Sequence, residues 1–282
     1  MICVACFIHL AWIENSPARK GKVFTGGTTS SYEVMYSRSE DGGASFETPV
    51  SVSGGLSYYL MTASGTAFST LDLEIESGGN PHVTYAFVST ADHSLRRNVY
   101  YTHSTDGGDN WAVPTTVNDQ SPPMGESESA YSAFPRMAID DRDDIFITYV
   151  RGSSRGNGND DIMLAKVNRA DFSMVTVGAL GTSGSSGGVR ITPDAKRHTG
   201  PDIAIGDGDA LHIVYFNDDD DRVEHRRLST DATWVDVSTS GWSQDADGAV
   251  VGAFDDEVAT NTALGEEADF FFPTVTIDRQ HL

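Results

Sequence analysis

Two stretches of this chain, 65 residues apart, repeat the same turn chemistry. Ser39 to Phe46 and Ser104 to Trp111 both read Ser-x-Asp-Gly-Gly-x-x-aromatic. An Asp side chain accepts hydrogen bonds from backbone N–H groups a few residues on, and glycine supplies the positive φ of tight turns. Each stretch therefore predicts a β-hairpin. Because the surrounding Val, Tyr and Pro residues keep the same spacing, the pair also predicts an internal repeat.

A second repeated pattern gives the period of this repeat. Four apolar segments end in an aromatic residue, and these aromatics, Trp12, Tyr85, Tyr149 and Tyr215, lie 73, 64 and 66 residues apart. Each of the last three segments follows another strand-like run and a turn. The unit is strand A, turn, strand B, loop, strand C, hairpin, strand D. Four strands at this period predict one blade of a β-propeller.

Composition agrees with an all-β fold. The chain has 28 glycines and 10% aromatic residues, and no long stretch shows apolar residues at helical spacing. We predict a β-propeller of four-stranded antiparallel blades in a single domain, 1–282, with about four blades visible. The predicted blade units are 1–53, 70–118, 135–180 and 201–238, and 270–282 begins with a further inner strand.

The two hairpin stretches resemble the Asp-box, or BNR repeat, of the sialidase-like β-propellers. The pattern Ser-x-Asp-x-Gly-x-x-(Trp/Phe) is met in full by two sets of residues: Ser39, Asp41, Gly43 and Phe46, then Ser104, Asp106, Gly108 and Trp111. Ser229 to Trp234 resembles a shortened third copy. The resemblance implies a structural role for these residues, on the face away from the ligand, and a ring of six blades.

The two ends of the chain leave two interpretations open. Residues 270–278 read as a strand A, whereas the chain opens with a strand B. The C-terminal strand could complete the first blade and close a four-bladed ring. Alternatively, the chain is a fragment of a six-bladed ring, which we favour although an open propeller leaves unpaired strand edges.

The loops divide into two sets by topology. The A–B turns and the hairpins share one face and are short, whereas the B–C loops and D–A connections share the other and are long. Long irregular loops are typical of binding sites. We therefore expect any ligand site on the second face, around the central channel.

The sialidases that this chain resembles hold the substrate carboxylate with three arginines and use a Tyr–Glu pair as the nucleophile. Their Phe/Tyr-Arg-Ile-Pro motif is absent, and Phe134 to Met137 contains similar letters in another order. By position, the catalytic candidates are Arg136, Tyr131 and Glu128. The ligand-binding candidates are Arg151 and Arg155, for an acidic sugar, and Tyr58 and Tyr59, as a stacking platform.

Each candidate also has a structural interpretation. Arg136 could form a salt bridge between blades, since charged groups near packed cores need a partner. Glu126 and Glu128 could lie in a solvated loop, and Tyr58 and Tyr59 could cover the edge of the core.

Charge limits the partners. With 19 basic and 41 acidic residues the net charge is −22, which disfavours nucleic acid and anionic membranes. No apolar run is long enough to span a membrane. The apolar start of the chain lacks a basic n-region and a cleavage site, so it is interpreted as a strand. An Asp-rich, Lys-poor composition suits a secreted or cell-surface protein, although an ordinary solvated surface explains it equally.

The sequence predicts no cofactor. Cys3 and Cys6 form an isolated CxxC and are interpreted as buried apolar residues. The clusters 140–144, 217–221 and 245–248 offer oxygen ligands for calcium, but none fits the EF-hand pattern, and solvated turns are the alternative. His82, His212 and His281 recur at one strand position and are interpreted as structural.

Two functions from different classes follow. The first is an exo-glycosidase acting on terminal sialic acid or a related acidic sugar. The alternative is a non-catalytic extracellular propeller that binds glycans or proteins. The repeats support the fold and do not decide between the two.

Overall fold

The computed structural model describes residues 7–15, 31–54, 58–59, 71–89, 97–118, 130–153, 160–174, 188–192, 196–206, 210–220, 222–228 and 242–243. These residues form sixteen β-strands, with no helix among them. The same part of the chain accordingly contains no helix long and apolar enough to cross a membrane. Cys3, Cys6, Ser229 to Trp234 and residues 270–282 lie outside the described ranges.

The strands form four antiparallel sheets in chain order. The first contains β1 (Ile8–Asn15), β2 (Ser31–Ser39) and β3 (Val50–Ser51). The second contains β5 (Leu71–Ile75), β6 (Pro81–Ser89), β7 (Arg97–His103) and β8 (Thr115–Thr116). The third contains β9 (Ala130–Ile139), β10 (Ile145–Ser153), β11 (Asp161–Val167) and β12 (Val189–Arg190). The fourth contains β13 (His198–Ile205), β14 (Leu211–Asn217), β15 (Arg222–Leu228) and β16 (Trp242–Ser243).

One short strand connects the first two sheets. β4 (Tyr58–Tyr59) pairs with the start of β2 and with the end of β6. It lies in the D–A connection between these sheets, on the face where the B–C loops begin. The second, third and fourth sheets each contain the predicted order of strands A, B, C and D, and the first begins at strand B.

Successive sheets pack face to face over apolar clusters. Tyr85 packs in a cluster with the first sheet, Tyr149 in one with the second, and Tyr215 in one with the third. All three side chains are buried. The innermost strands are also neighbours, because β5 contacts β9 and β9 contacts β13. Antiparallel sheets stacked in this way, with their first strands adjacent, form a β-propeller, so the predicted fold class is confirmed.

Strand D of the third sheet differs from its predicted position. β12 lies between the predicted blade units 135–180 and 201–238, beyond the expected end of its blade at 180. Its place is fixed by the residues that follow it: Ile191 N–H donates to Ile162 O, and Ile162 N–H donates to Thr192 Oγ1. In the fourth sheet, β16 likewise lies beyond the expected boundary at 238.

The Ser–Asp–Gly hairpins share one hydrogen-bond pattern. Ser104 Oγ donates to Asp106 Oδ1 over 2.7 Å and accepts the N–H of Gly108 over 2.8 Å. Asp106 Oδ1 also accepts the N–H of Asn110 over 2.9 Å. The hairpin from Ser39 repeats these bonds. The side-chain amide of Asn110, its backbone N–H and the Ser104 hydroxyl all donate to the charged carboxylate, and they lower the pKa of Asp106 to about 2.

The aromatic residues of the two hairpins have different surroundings. Trp111 donates its Nε1–H to Gly108 O over 3.0 Å and packs edge-on against Tyr36 of the first sheet, with ring centroids 4.8 Å apart. Phe46, in the same sequence position, is 43% exposed. Of these two aromatic residues, Trp111 therefore packs against the neighbouring sheet, whereas Phe46 is open to solvent.

The hairpin face also links neighbouring sheets. Arg38 of β2 donates to Gly107 O in the second hairpin over 2.6 Å. Ser77 in the second sheet donates its N–H and its hydroxyl to the two carboxylate oxygens of Asp143 in the third, each over 2.8 Å. Arg169 lies 2.8 Å from the buried carboxylate of Glu76. In the third sheet, the hairpin without the Ser–Asp–Gly pattern thus contacts the neighbouring sheet directly.

We expect Asp106→Ala to lower the melting temperature of the chain at pH 6. The folded-state pKa of Asp106 lies below its unfolded value, so its contribution is present above about pH 4 and is lost as the pH falls through about 2. Denaturation of parent and variant between pH 6 and pH 2 should show the two curves converging at the acidic end. Thr105→Ala in the same hairpin is the control, and an Asp106→Ala deficit independent of pH would contradict the assignment.

Candidate functional site

A charged residue occupies one equivalent position on three inner strands. Asp72 of β5 lies opposite Thr84, Arg136 of β9 opposite Thr148, and Asp202 of β13 opposite Val214. These partner positions are equivalent because each directly precedes the strand-B tyrosine. We call Asp72, Arg136, Asp202 and the nearby Glu74 the inner charged cluster.

The members of this cluster reach from blade to blade. Asp72 Oδ2 accepts the backbone N–H of Met137 over 2.8 Å. Arg136 Nε lies 3.8 Å from Asp202 Oδ1. Glu74 is two residues beyond Asp72, so its side chain projects to the same side of β5. Leu71 and Leu73 project to the other side, where they pack against the first sheet.

Burial and mutual repulsion raise the proton affinity of these carboxyl groups. Burial, followed by the negative charges of Asp72 and Asp202, raises the pKa of Glu74 to about 7. Burial also raises the pKa of Asp72, although the N–H of Met137 and the charge of Arg136 oppose that shift. Near neutral pH, Glu74 can therefore both donate and accept a proton, which suits a general acid or base.

Backbone bulges precede the cluster on two inner strands. The pairing register shifts in β9 opposite Tyr149 and in β13 between Thr199 and Asp202. Phe134 has φ 54° and Gly200 has φ 57°, and each is followed by a proline. A phenylalanine in the left-handed region is strained, and such strain concentrates at functional sites. The bulge in β9 lies two residues from Arg136.

The structure places the sequence-predicted residues as follows. Arg136 lies in the inner charged cluster and contacts Asp202 of the next blade, which is the structural role considered from the sequence. Tyr131 pairs opposite Gly152 in the part of β9 on the long-loop side. Tyr58 and Tyr59 form β4, on the same face. Arg151 lies at the end of β10, 3.5 Å from Asp161. Glu126, Glu128 and Arg155 lie outside the described residues.

Sequence reasoning did not select Asp72, Glu74 or Asp202. A signal was present for Asp72 and Asp202, because a charged residue occupies the same repeat position of the inner strand in three units. Recognising this signal requires that the A strands of the repeats be aligned with one another. The catalytic and ligand-binding candidates were instead chosen from loop residues and individual arginines.

The acidic turns have protein partners. Asp140 Oδ1 accepts the N–H groups of Arg142 and Asp144, over 2.9 and 2.8 Å. In the fourth sheet, Asp218 pairs with Arg197 and Asp220 pairs with Lys196. Within the described ranges, no three His, Cys, Asp or Glu side chains are grouped as metal ligands.

The repeated histidines bond to the neighbouring strand. His9 Nδ1 lies 2.6 Å from Tyr36 Oη, and His82 Nδ1 lies 2.7 Å from Tyr101 Oη. At the same place in the fourth sheet, His212 Nδ1 lies 3.0 Å from His225 Nε2. His281 lies outside the described residues.

No protein-family model matches the chain, and no curated protein matches its sequence. Among solved structures, a protein of unknown function from Dyadobacter fermentans shares 13% identity, with a TM-score of 0.50 over 84% of this chain and 65% of that one. The Hadza microbial sialidase Hz136 shares 11% identity, with a TM-score of 0.45 over 75% of this chain and 40% of that one. An α-L-arabinanase from Penicillium chrysogenum shares 13% identity, with a TM-score of 0.39 over 78% of this chain and 64% of that one. The chain thus spans less than two thirds of the length of each, and the likeness to the Dyadobacter protein is one of fold.

We expect Glu74→Gln to stabilise the protein above pH 7. Because the folded-state pKa of Glu74 is raised, its favourable contribution is fully present below about pH 4.5 and is lost as the pH rises through about 7. Allowing for partial solvent screening, the gain at pH 8 should be about 1–2 kcal/mol. Urea unfolding at pH 5 and pH 8 measures it, with the exposed Glu40→Gln as the control. An equal change at both pH values would contradict the prediction.

Proposed function

We propose that this chain is a carbohydrate-active β-propeller that binds a glycan entering the central channel from its long-loop face and cleaves it beside the inner charged cluster. The observation that carries the proposal is the grouping of Asp72, Arg136, Asp202 and Glu74 on inner strands, where propellers place ligand sites around the central channel. The resemblance of the two hairpins to those of sialidase-like propellers supports a glycan as the ligand. The acidic, Lys-poor composition supports a secreted or cell-surface location.

The fold itself does not require the charge of Glu74. Glu74 lies opposite the strand-B residue that stands three positions before the tyrosine. In the next two blades, the equivalent position on strand A is occupied by Ala138 and Ala204. A small apolar residue is therefore accepted at this position in the same architecture. Keeping a carboxyl group there costs desolvation energy, and costs of this kind are typical of active sites.

The cluster has the groups that glycoside cleavage needs. Glu74, with a pKa of about 7, can protonate the departing glycosidic oxygen. The carboxylate of Asp72 or Asp202 can stabilise the positive charge that develops on the sugar ring, and a water molecule then adds to the anomeric carbon and completes the hydrolysis. In the finer form of the proposal the substrate is a terminal sialic acid or a related acidic sugar, with Arg136 pairing its carboxylate and Tyr131 with Glu128 forming the nucleophilic pair.

The second candidate is a non-catalytic propeller that binds glycans or proteins outside the cell. The observation that favours it is the contact between Arg136 and Asp202, since an arginine held by a carboxylate across blades has a structural task. Both candidates place the ligand on the same face. They differ in whether a bond is broken.

We expect the chain to release the chromophore from an aryl glycoside, in a panel that includes a sialoside, an arabinofuranoside and a glucuronide. Glu74→Gln should lower kcat at least 100-fold, because general acid–base catalysis contributes about 10²–10⁴ in rate. Asp171→Asn, on the exposed hairpin of the third sheet, should leave the rate unchanged.

If the chromophore is released from the sialoside alone, and Arg136→Ala abolishes that release, the acidic-sugar form of the proposal is supported. Retention on a glycan array without release from any substrate would support the binding protein instead. Turnover that Glu74→Gln leaves intact would contradict the role given to the inner charged cluster.

A further inference from the structure

The hairpin that follows β11 contacts the second sheet through two side chains. We call residues 168–173 the Arg169 hairpin. Arg169 Nη2 lies 2.8 Å from Glu76 Oε2, in the turn that follows β5. The ring of Phe172, a residue with φ 56°, stacks on the ring of His103 with centroids 3.8 Å apart. An ion pair and a ring stack therefore join this hairpin to the neighbouring blade.

A buried histidine lies beneath these two contacts. His82 is 0% exposed, and its Nε2 lies 3.4 Å from Glu76 Oε2, the same oxygen that faces Arg169. The ring of His82 stacks on that of His103 with centroids 6.0 Å apart. Its Nδ1 lies 2.7 Å from Tyr101 Oη, whereas its Nε2 makes no hydrogen bond within the described ranges. The two histidines thus lie against both contacts of the Arg169 hairpin.

Other blades form the same positions without these titratable groups. The strand-B position of His82 is occupied by Phe146 in the third sheet. The turn position of Glu76 is occupied by Gly206 in the fourth sheet, and the backbone N–H of each closes the turn in the same way. A carboxylate and a histidine buried side by side cost desolvation energy. Since neither turn nor strand requires them, a role beyond folding is indicated.

The other ionisable groups that face the histidines come from both sheets. Tyr101 is buried, and burial raises the pKa of its hydroxyl, so this group stays neutral. Asp143 of the third sheet lies 4.0 Å from Arg169, on the side of the two hydrogen bonds that it accepts from Ser77. These hydrogen bonds are the first causes that lower the pKa of Asp143, so it stays ionised in mild acid. The groups that change charge in mild acid are therefore the histidines.

The docked hairpin disfavours a proton on either histidine. Burial lowers the pKa of His82 and of His103, the charge of Glu76 opposes both shifts, and the charge of Arg169 adds to them. Separation of the hairpin from the second sheet admits water and restores ordinary proton affinity. The contribution of these groups to docking is thus fully present above the ordinary histidine pKa of 6.5 and is lost as the pH falls through the lowered values.

We propose that this junction is an acid-sensitive latch, which holds the Arg169 hairpin on the second sheet at neutral pH and releases it in acid. A proton on His82 competes with Arg169 for one oxygen of Glu76. A proton on His103 places a second cation beneath the hairpin, where Arg169 repels it. The latch goes beyond the proposed function, because it concerns the joint between the blades that carry Glu74 and Arg136.

Hydrogen–deuterium exchange of the whole chain tests the latch. The internal reference is the hairpin from Ser39 to Phe46, in which Asp41 has a pKa of about 2 and stays ionised. After correction for the intrinsic exchange rate, protection of the Arg169 hairpin should fall by about tenfold or more between pH 7 and pH 4.5. Protection of the reference hairpin should change by less than about twofold.

Matched variants separate the latch from general acid sensitivity. The double variant His82→Phe and His103→Phe leaves no titratable ring at the junction, so the Arg169 hairpin should respond to pH no more than the reference does. Arg169→Gln should lower protection at pH 7 and reduce the further loss at pH 4.5, because Glu76 then pairs with protonated His82. Arg197→Gln, which removes an exposed arginine just before β13, is the charge-matched control and should keep the pH response of the parent.

Equal loss of protection in the two hairpins at pH 4.5 would overturn the latch, since it would show acid unfolding of the whole chain. So would a pH response in Arg169→Gln as large as that of the parent. An NMR titration of the parent protein gives an answer that does not depend on the folding of any variant. The pKa of His103 should lie below 6.5 there, and a value at or above 6.5 would rule the latch out.

Discussion

Burial of sheet faces against neighbouring sheets, on both faces in the second and third sheets, is the constraint on which this structure depends. β10 shows it clearly: Ile145, Ile147 and Tyr149 pack against the second sheet, whereas Phe146 and Val150 pack toward the fourth. A strand of this kind cannot alternate between apolar and polar residues, because neither of its faces meets water. At roughly 25 cal/mol per Å² of buried apolar surface, such strands supply most of the favourable free energy of folding.

This constraint explains how much could be predicted from the sequence. Near-continuous apolar segments ending in Tyr85, Tyr149 and Tyr215 recur at a nearly constant period, so the central strands and the fold class followed from the repeat. β12 was missed because strand D is the outermost strand and contributes only two residues to the sheet. Its only signal is the apolar–polar pair Ile191-Thr192, which corresponds to Val117-Asn118 in the second sheet.

The candidate site was harder to predict, for a physical reason. The inner charged cluster is assembled from three blades, so its members lie about 65 residues apart in the sequence and none stands in a motif. Arg136 was selected because arginine suggests carboxylate binding, but its significance depends on Asp202 of the next blade. Glu74 shows nothing unusual in sequence. Its raised pKa arises from burial and from charges that only the fold brings near.

The hairpin turns and the inner strands of the propeller use charge in opposite ways. On the hairpin face, carboxylates accept nearby N–H groups, as in Asp106 and Asp143, and their pKa values fall. Those carboxyl groups stay ionised and stabilise the turns through hydrogen bonds. At Glu74 and Asp72 on the inner strands, burial dominates and the pKa values rise. A carboxyl group that transfers a proton near neutral pH needs the raised pKa that burial produces. A carboxylate stabilised by the N–H groups of its own turn stays ionised and has no proton to donate. The proposed chemistry therefore belongs at the inner strands, and the hairpins stabilise the blades that position them.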